Sequence, residues 1–139
     1  MEYYYNEQIK LLVQPCPPKN YRQYNKKVFR WVFDSMEDEK NFKAQAEKNP
    51  PVLNDKTDKE KCEYYALSFH STIEASREAF VHLKKIMKNA HKRLGTNIAS
   101  GKLLHDDGLG SDPDANGHIN FHHYKQCNFV TRFTITEKL

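Results

Sequence analysis

From Ser71 to Gly95 the chain carries a single amphipathic pattern, and this constrains the fold more than any other feature. Ile73, Phe80, Leu83, Met87, Ala90 and Leu94 recur at helical spacing and form one apolar stripe. Ser71 followed by Glu74 has the form of a capping box, in which the hydroxyl accepts from a first-turn amide and the carboxylate reaches back. Gly95 stands where a left-handed terminating residue is wanted. The spacing predicts a helix from about Thr72 to Leu94, and its apolar stripe needs a partner layer. A chain of 139 residues, 38% of them hydrophobic, supplies material for one core, so residues 1–139 are expected to form a single domain.

The partner layer is expected to be a sheet. Glu7 to Gln14 predicts a short strand stopped by Pro15, Pro17 and Pro18, which fix φ and remove ladder donors. Lys27 to Phe33 predicts a second strand. Alternation puts Val28, Arg30 and Val32 on one face and Phe29, Trp31 and Phe33 on the other, and the aromatic face is expected to be the buried one. Asp38 to Lys48 predicts a short helix closed by Pro50-Pro51, and Asn54 to Lys61 a solvated loop. Glu63 to His70 predicts a strand. Residues 101–117 hold four of the five glycines among several aspartates, which predicts a long Gly/Asp/His-rich loop. Gly117 to Tyr124 and Asn128 to Thr136 predict two closing strands. The expected class is α+β: one domain, a mainly antiparallel sheet against one long amphipathic helix and one short helix.

Several function classes find no support in the sequence. The longest aliphatic run, Leu11-Leu12-Val13, is far too short to span a bilayer, so no membrane role is expected. The first twenty residues lack a basic start followed by an apolar stretch, so no signal peptide is expected. The three cysteines, Cys16, Cys62 and Cys127, are odd in number and include no Cys-x-x-Cys. They predict no disulfide framework and a reducing, cytoplasmic interior. The glycine-rich nucleotide motifs and the Gly-x-Ser-x-Gly elbow are absent.

Charge is concentrated on the long helix. It carries six Lys/Arg (Arg77, Lys84, Lys85, Lys88, Lys92, Arg93) against Glu74 and Glu78, an excess equal to the formal +4 of the whole chain. Lys84, Lys88 and Lys92, spaced four apart, are expected to form a ridge able to lie along phosphates. The same lysines also suit a solvated helix face and the negative end of the helix dipole. A second patch interleaves cations with tyrosines: Lys19, Tyr21, Arg22, Tyr24, Lys26 and Lys27. Base stacking on tyrosine beside cations is one way of holding a single strand.

The third cluster, residues 105–123, combines His105, Asp106, Asp107, Asp112, Asp114, Asn116, His118, His122 and His123, with Cys127 just beyond. Histidine and carboxylate together suggest a divalent metal, with His105, Asp112, Asp114, Asn116, His118 and His122 as candidate ligands. On a strand His118 and His122 share a face but stand roughly 13 Å apart, too far for one ion. Asp112, Asp114, Asn116, Gly117 and Ile119 resemble the EF-hand calcium loop, which implies oxygen ligands at its first, third and fifth positions. His123 stands where that family has a bidentate glutamate.

Two further resemblances concern catalysis. Arg77-x4-His82 is similar to the spacing of HEPN-type ribonucleases, which implies a His acid/base and an Arg on phosphate. Arg30 on an early strand and Ser68-Phe-His70-Ser71-Thr72 at a strand end resemble the mono-ADP-ribosyltransferase folds. That likeness implies an Arg or His gripping the dinucleotide, a Ser/Thr strand supporting the pocket and a late glutamate; only Glu137 follows Glu78.

Over most of its length the chain resembles small bacterial proteins of unassigned activity. The likeness lies in Phe29-Arg-Trp-Val-Phe33, Ala66-Leu-Ser-Phe-x-Ser71, Gly95-Thr-x-Ile-Ala-x-Gly101, and Asp107-Gly108 before Gly117-His118. It implies a bacterial or phage origin. Localised charge without a coherent catalytic set predicts a small basic binding or adaptor module. It would engage an acidic partner, protein or nucleic acid, through Lys84, Lys85, Lys88, Lys92 and Arg93, through Tyr21, Arg22 and Tyr24, and through the 101–117 loop. The alternative is an enzyme with Arg30, Ser71 and His118 as catalytic candidates. It would be either an ADP-ribosyltransferase-like effector or a metal-dependent hydrolase built on residues 105–123.

Overall fold

Two half-sheets meet at a seam in the computed structural model, which describes residues 1–139. The strands are β1 (Lys26–Val32), β2 (Leu67–His70), β3 (Asn97–Leu103), β4 (Gly108–Gly110), β5 (His118–His123) and β6 (Thr134–Lys138). They form one antiparallel sheet in the order β4-β5-β2-β1-β3-β6. Helices α1 (Asn6–Ile9), α2 (Gln45–Lys48), α3 (Asp58–Tyr64), α4 (Ile73–Ile86) and α5 (Ala90–Leu94) complete the α+β domain.

The seam lies between β1 and β2. β1 pairs with β3 along its whole length, and β2 pairs with β5 along its own, but β1 and β2 share only the position Phe29↔His70. Past that rung the strands part, and Arg30 bridges the opening. Its Nη1 donates to the Ser68 carbonyl at 2.7 Å, its Nε to the Asn41 carbonyl at 2.7 Å, and its Nη2 to the Lys43 carbonyl at 3.4 Å. A guanidinium with a fixed fork of donors thus satisfies one strand carbonyl, that of Ser68, together with two carbonyls of the irregular segment before α2. Phe42 and Phe69 lie against it, with ring centroids 5.7 and 5.6 Å from its carbon.

This arrangement reverses the expected sidedness of β1. Val28, Arg30 and Val32 are buried, while Phe29 and Trp31 are only half-buried. Arg30 masked the apolar face, because a residue with five donors is not expected inside unless enough acceptors meet it. That face packs on Leu67, Phe69, Ile119 and Phe121, with Phe129 and Phe133 closing the aromatic cluster. The opposite face carries Trp31 and His70 under helix α4, where Trp31 meets Phe80 and donates to the Ser76 carbonyl at 3.1 Å.

Several local expectations are corrected. The N-terminal segment 7–14 is helix α1 followed by turns rather than a strand, because Tyr5, Ile9 and Leu12 face the core at helical spacing while Leu11 and Val13 are exposed. Only Gln45–Lys48 of the expected 38–48 helix is helical. The supposed loop 54–61 begins helix α3, whose N-terminus is a full Thr57/Glu60 capping box. That helix continues through Tyr64, so β2 starts at Leu67. Thr72 rather than Ser71 caps α4, accepting from the Ala75 amide at 3.1 Å. The single helix 72–94 is broken into α4 and α5 by an extended Met87 and a left-handed Asn89, φ 59°. The long loop 101–117 contains the end of β3 and all of β4, and the last strand begins at Thr134.

Cysteine pairing is also corrected. Cys16 and Cys62 form a disulfide, S–S 2.02 Å, and Cys127 is free. An odd count leaves one cysteine over without preventing the other two from meeting, and here the proline-rich segment folds back onto α3.

Candidate functional site

Where β1 and β2 part, the sheet leaves a cleft of about 880 Å³ against α2, α4 and α5. Register places the wall residues: Phe29↔His70, His70↔His118 and Ser68↔Asn120 put His70, Ser68 and His118 on the sheet face that also carries Trp31. Lys40 and Phe33 enter at one end, Lys48 and Tyr64 from the helical side, and Lys92 and Arg93 from α5.

Ser68 Oγ and His118 Nε2 share a hydrogen bond of 2.9 Å on this wall. The His118 backbone amide donates to Asp114 Oδ1 at 3.0 Å, and that same oxygen accepts from the Asn116 amide at 2.8 Å. Gly117 allows the turn between them, with φ 74°, where a side chain would also press on Ala75 and Ser71. His70 is buried, and its Nδ1 has no hydrogen-bond partner. Burial, reinforced by repulsion from His118 and Arg30 and opposed by Asp114, pushes its pKa down to about 4, so the ring is neutral near pH 7. Burial lowers His118 as well, against the pull of Asp114 and Glu63. Burial, then repulsion from Arg30 and Lys40, brings Lys48 down to about 8.

The basic residues do not form one ridge. Lys84 and Lys85 lie on the last turn of α4, Lys88 in the break, and Lys92 and Arg93 on α5. All five are exposed and none is ion-paired, but only Lys92 and Arg93 reach the cleft. The tyrosine patch is tied into the fold. Tyr24 is buried with its hydroxyl donating to the Ser111 carbonyl, Tyr21 is half-buried, and Arg22 is ion-paired with Asp112.

The catalytic candidates divide. Arg30 spends its donors on protein carbonyls and so positions the Ser68 backbone rather than reaching into the cleft. Ser71 donates its backbone amide to Gly117, beside the cleft wall. Of the three, only His118 lies on the wall, hydrogen-bonded to the Ser68 hydroxyl. Arg77 donates to Glu137 through hydrogen bonds of 2.6 and 2.5 Å, so the late glutamate of the transferase resemblance and the arginine of the Arg-x4-His resemblance are engaged with each other, and neither lines the cleft.

The candidate metal ligands are dispersed. His105 is exposed beside Asp106; Asp112 holds Arg22; Asp114 holds backbone amides; Asp107 is buried with Arg132. Cys127 donates to Asp107 at 3.4 Å, and burial pushes its thiol up to about 12. His118 and His122 do not converge. His122 is buried instead against the disulfide, its Nε2 3.6 Å from Cys62 Sγ and 3.8 Å from Cys16 Sγ. Lys48 and Trp31 carry no motif in the sequence, His70 enters only through the transferase-like stretch Ser68–Thr72, and the seam that gathers them has no local sequence signal. No family model, curated protein or solved structure matches this chain.

Proposed function

We propose that the domain is a binding module whose cleft takes a phosphate-bearing aromatic ligand, a nucleotide or the end of a single nucleic-acid strand. One observation carries this reading: Lys40, Lys48, Lys92 and Arg93 surround Trp31, Phe33 and Tyr64 without an ion-pair partner, and Asp114 is the one carboxylate in the lining. Cations track phosphates and aromatic faces stack bases. His70 lines the same wall beside Trp31, with ring centroids 5.4 Å apart, and adds an aromatic surface there. Lys84, Lys85 and Lys88 extend the positive surface beyond the cleft for the rest of a strand.

Fluorescence of Trp31, the only tryptophan, reports occupancy directly. AMP, ATP, NAD, short RNA and DNA strands and an acidic peptide are titrated at rising salt. Phosphate ligands are expected to quench Trp31 with affinity falling as salt rises, and Lys92→Glu with Arg93→Glu is expected to weaken them by about tenfold or more. Binding of the acidic peptide alone, or unchanged binding by the double variant, overturns the reading.

A transferase acting on NAD is the second reading, favoured by the Ser68–His118 hydrogen bond at the cleft wall. Nicotinamide released in the NAD arm supports it; bound but intact NAD leaves the binding module. A bacterial cytoplasmic setting is proposed with either, on the sequence resemblance. The Cys16–Cys62 bond pulls the other way. Alkylation of thiols in protein captured directly from cells decides between them.

A further inference from the structure

We infer that Cys16, Cys62 and His122 form a redox-gated metal site: with the disulfide reduced, the two sulfurs and Nε2 hold one zinc-type ion, and oxidation expels it. The three donor atoms lie within 4.8 Å of one another. With Zn–S about 2.3 Å and Zn–N about 2.0–2.1 Å, a tetrahedral centre sets sulfur and nitrogen about 3.6 Å apart. The sulfur–nitrogen separations here are 3.6 and 3.8 Å. The imidazole is therefore already at coordination distance from both sulfurs, and reduction frees the sulfurs to separate to the roughly 3.7 Å the same centre requires.

The surroundings suit such a centre. His122 sits in β5 opposite Leu109 of β4, so the sheet fixes its backbone. Cys62 sits in α3, and Cys16 in the proline-rich segment, so the only ligand that has to move lies outside regular structure. Two thiolates and a neutral imidazole select zinc-type ions over calcium or magnesium. Their charges sum to zero with a divalent cation, which spares the interior an unpaired charge. An opening of about 400 Å³ beside Cys62, lined by Gln14, Tyr21 and Glu63 among others, gives water access to the fourth position.

The chemistry balances with a small-molecule thiol couple. Two equivalents of a low-molecular-weight thiol reduce the Cys16–Cys62 bond and leave as their own disulfide. Zinc then displaces the two thiol protons. In reverse, a low-molecular-weight disulfide such as glutathione disulfide takes two electrons from the bound thiolates. The Cys16–Cys62 bond forms, zinc leaves, and the small thiols take up two protons.

The protein is reduced, freed of metal and titrated with zinc against a chromophoric chelator, and separately with cobalt. About one zinc per chain is expected, with thiolate-to-cobalt charge-transfer absorption of a tetrahedral site. Added glutathione disulfide is expected to release that zinc while two thiols become unavailable to alkylation. His122→Ala is expected to keep the disulfide when oxidised but to bind zinc at least about 100-fold more weakly when reduced, since loss of a supporting residue alone costs 10–100-fold. Cys127→Ser is expected to bind as the parent does. Absence of the cobalt–thiolate band in the reduced parent, or equal zinc affinity in parent and His122→Ala, overturns the inference.

Discussion

Arg30 shows how one residue can hold open a space while filling another. Its side chain has no carboxylate partner; three carbonyls and two aromatic faces surround it. Burial brings its pKa down to about 10, which still leaves it charged near pH 7. Arg30→Met keeps the length and removes the donors. Each abandoned carbonyl costs about 1–3 kcal/mol, partly offset by apolar burial, so a net loss of about 2–4 kcal/mol is expected in urea unfolding. Parent-like stability would show that the seam does not depend on the fork. His70 gives the pH dependence at the same scale. Its folded pKa is about 4, against about 6.5 unfolded. Between those values the unfolded chain binds more protons, so stability is complete above about pH 6.5 and declines as the pH falls toward 4. His118 shifts in the same direction. Urea midpoints at about pH 7 and about pH 5 are expected to differ in that sense, with the difference shrinking in His70→Phe.

At the scale of elements, periodicity was legible where a single face decides it. β5 and the first part of the long helix follow from alternation and from the Ile73/Phe80/Leu83 spacing. Short elements were not legible. β4 is only three residues long, and both of its ends are glycines, which composition assigns to a loop. Helix α3 hid in a charged stretch because its stability begins at the Thr57/Glu60 cap, and only Cys62 is buried. The break after α4 has no proline or glycine to announce it; Asn89 in the left-handed region does that work. Asn89→Gly is expected to be neutral or stabilising and Asn89→Ala to cost about 1 kcal/mol in thermal or urea unfolding. If Ala were as stable, the left-handed turn would not be what redirects Lys92 and Arg93 into the cleft. The cleft itself was half legible: His118, Lys92 and Arg93 were candidates for separate reasons, while Trp31 and His70 join His118 through the register of β1, β2 and β5, and Lys48 arrives from α2.

For the whole molecule, the Cys16–Cys62 link closes a separation of 46 residues and ties the N-terminal arm to α3. By loop-closure entropy such a link adds about 4 kcal/mol. Reduction without metal is expected to lower the urea midpoint accordingly, and zinc added to the reduced protein to restore part of it. The linked arm supplies Tyr5, whose hydroxyl donates to Glu47 at 2.8 Å and accepts from the Ala44 amide at 2.9 Å, so the link is connected to the floor of the cleft through α2.

The Phe29↔His70 rung is the only place where the two ladders touch. A β-structure normally has no interior edge: every inner strand is saturated on both sides, and nothing can be inserted without unzipping it. Here the molecule keeps a stretch of strand margin in its middle, stoppered by a side chain instead of by backbone. The two flanking ladders are each paired independently of that margin, so a change confined to it leaves the β1–β3 and β2–β5 hydrogen bonds in place.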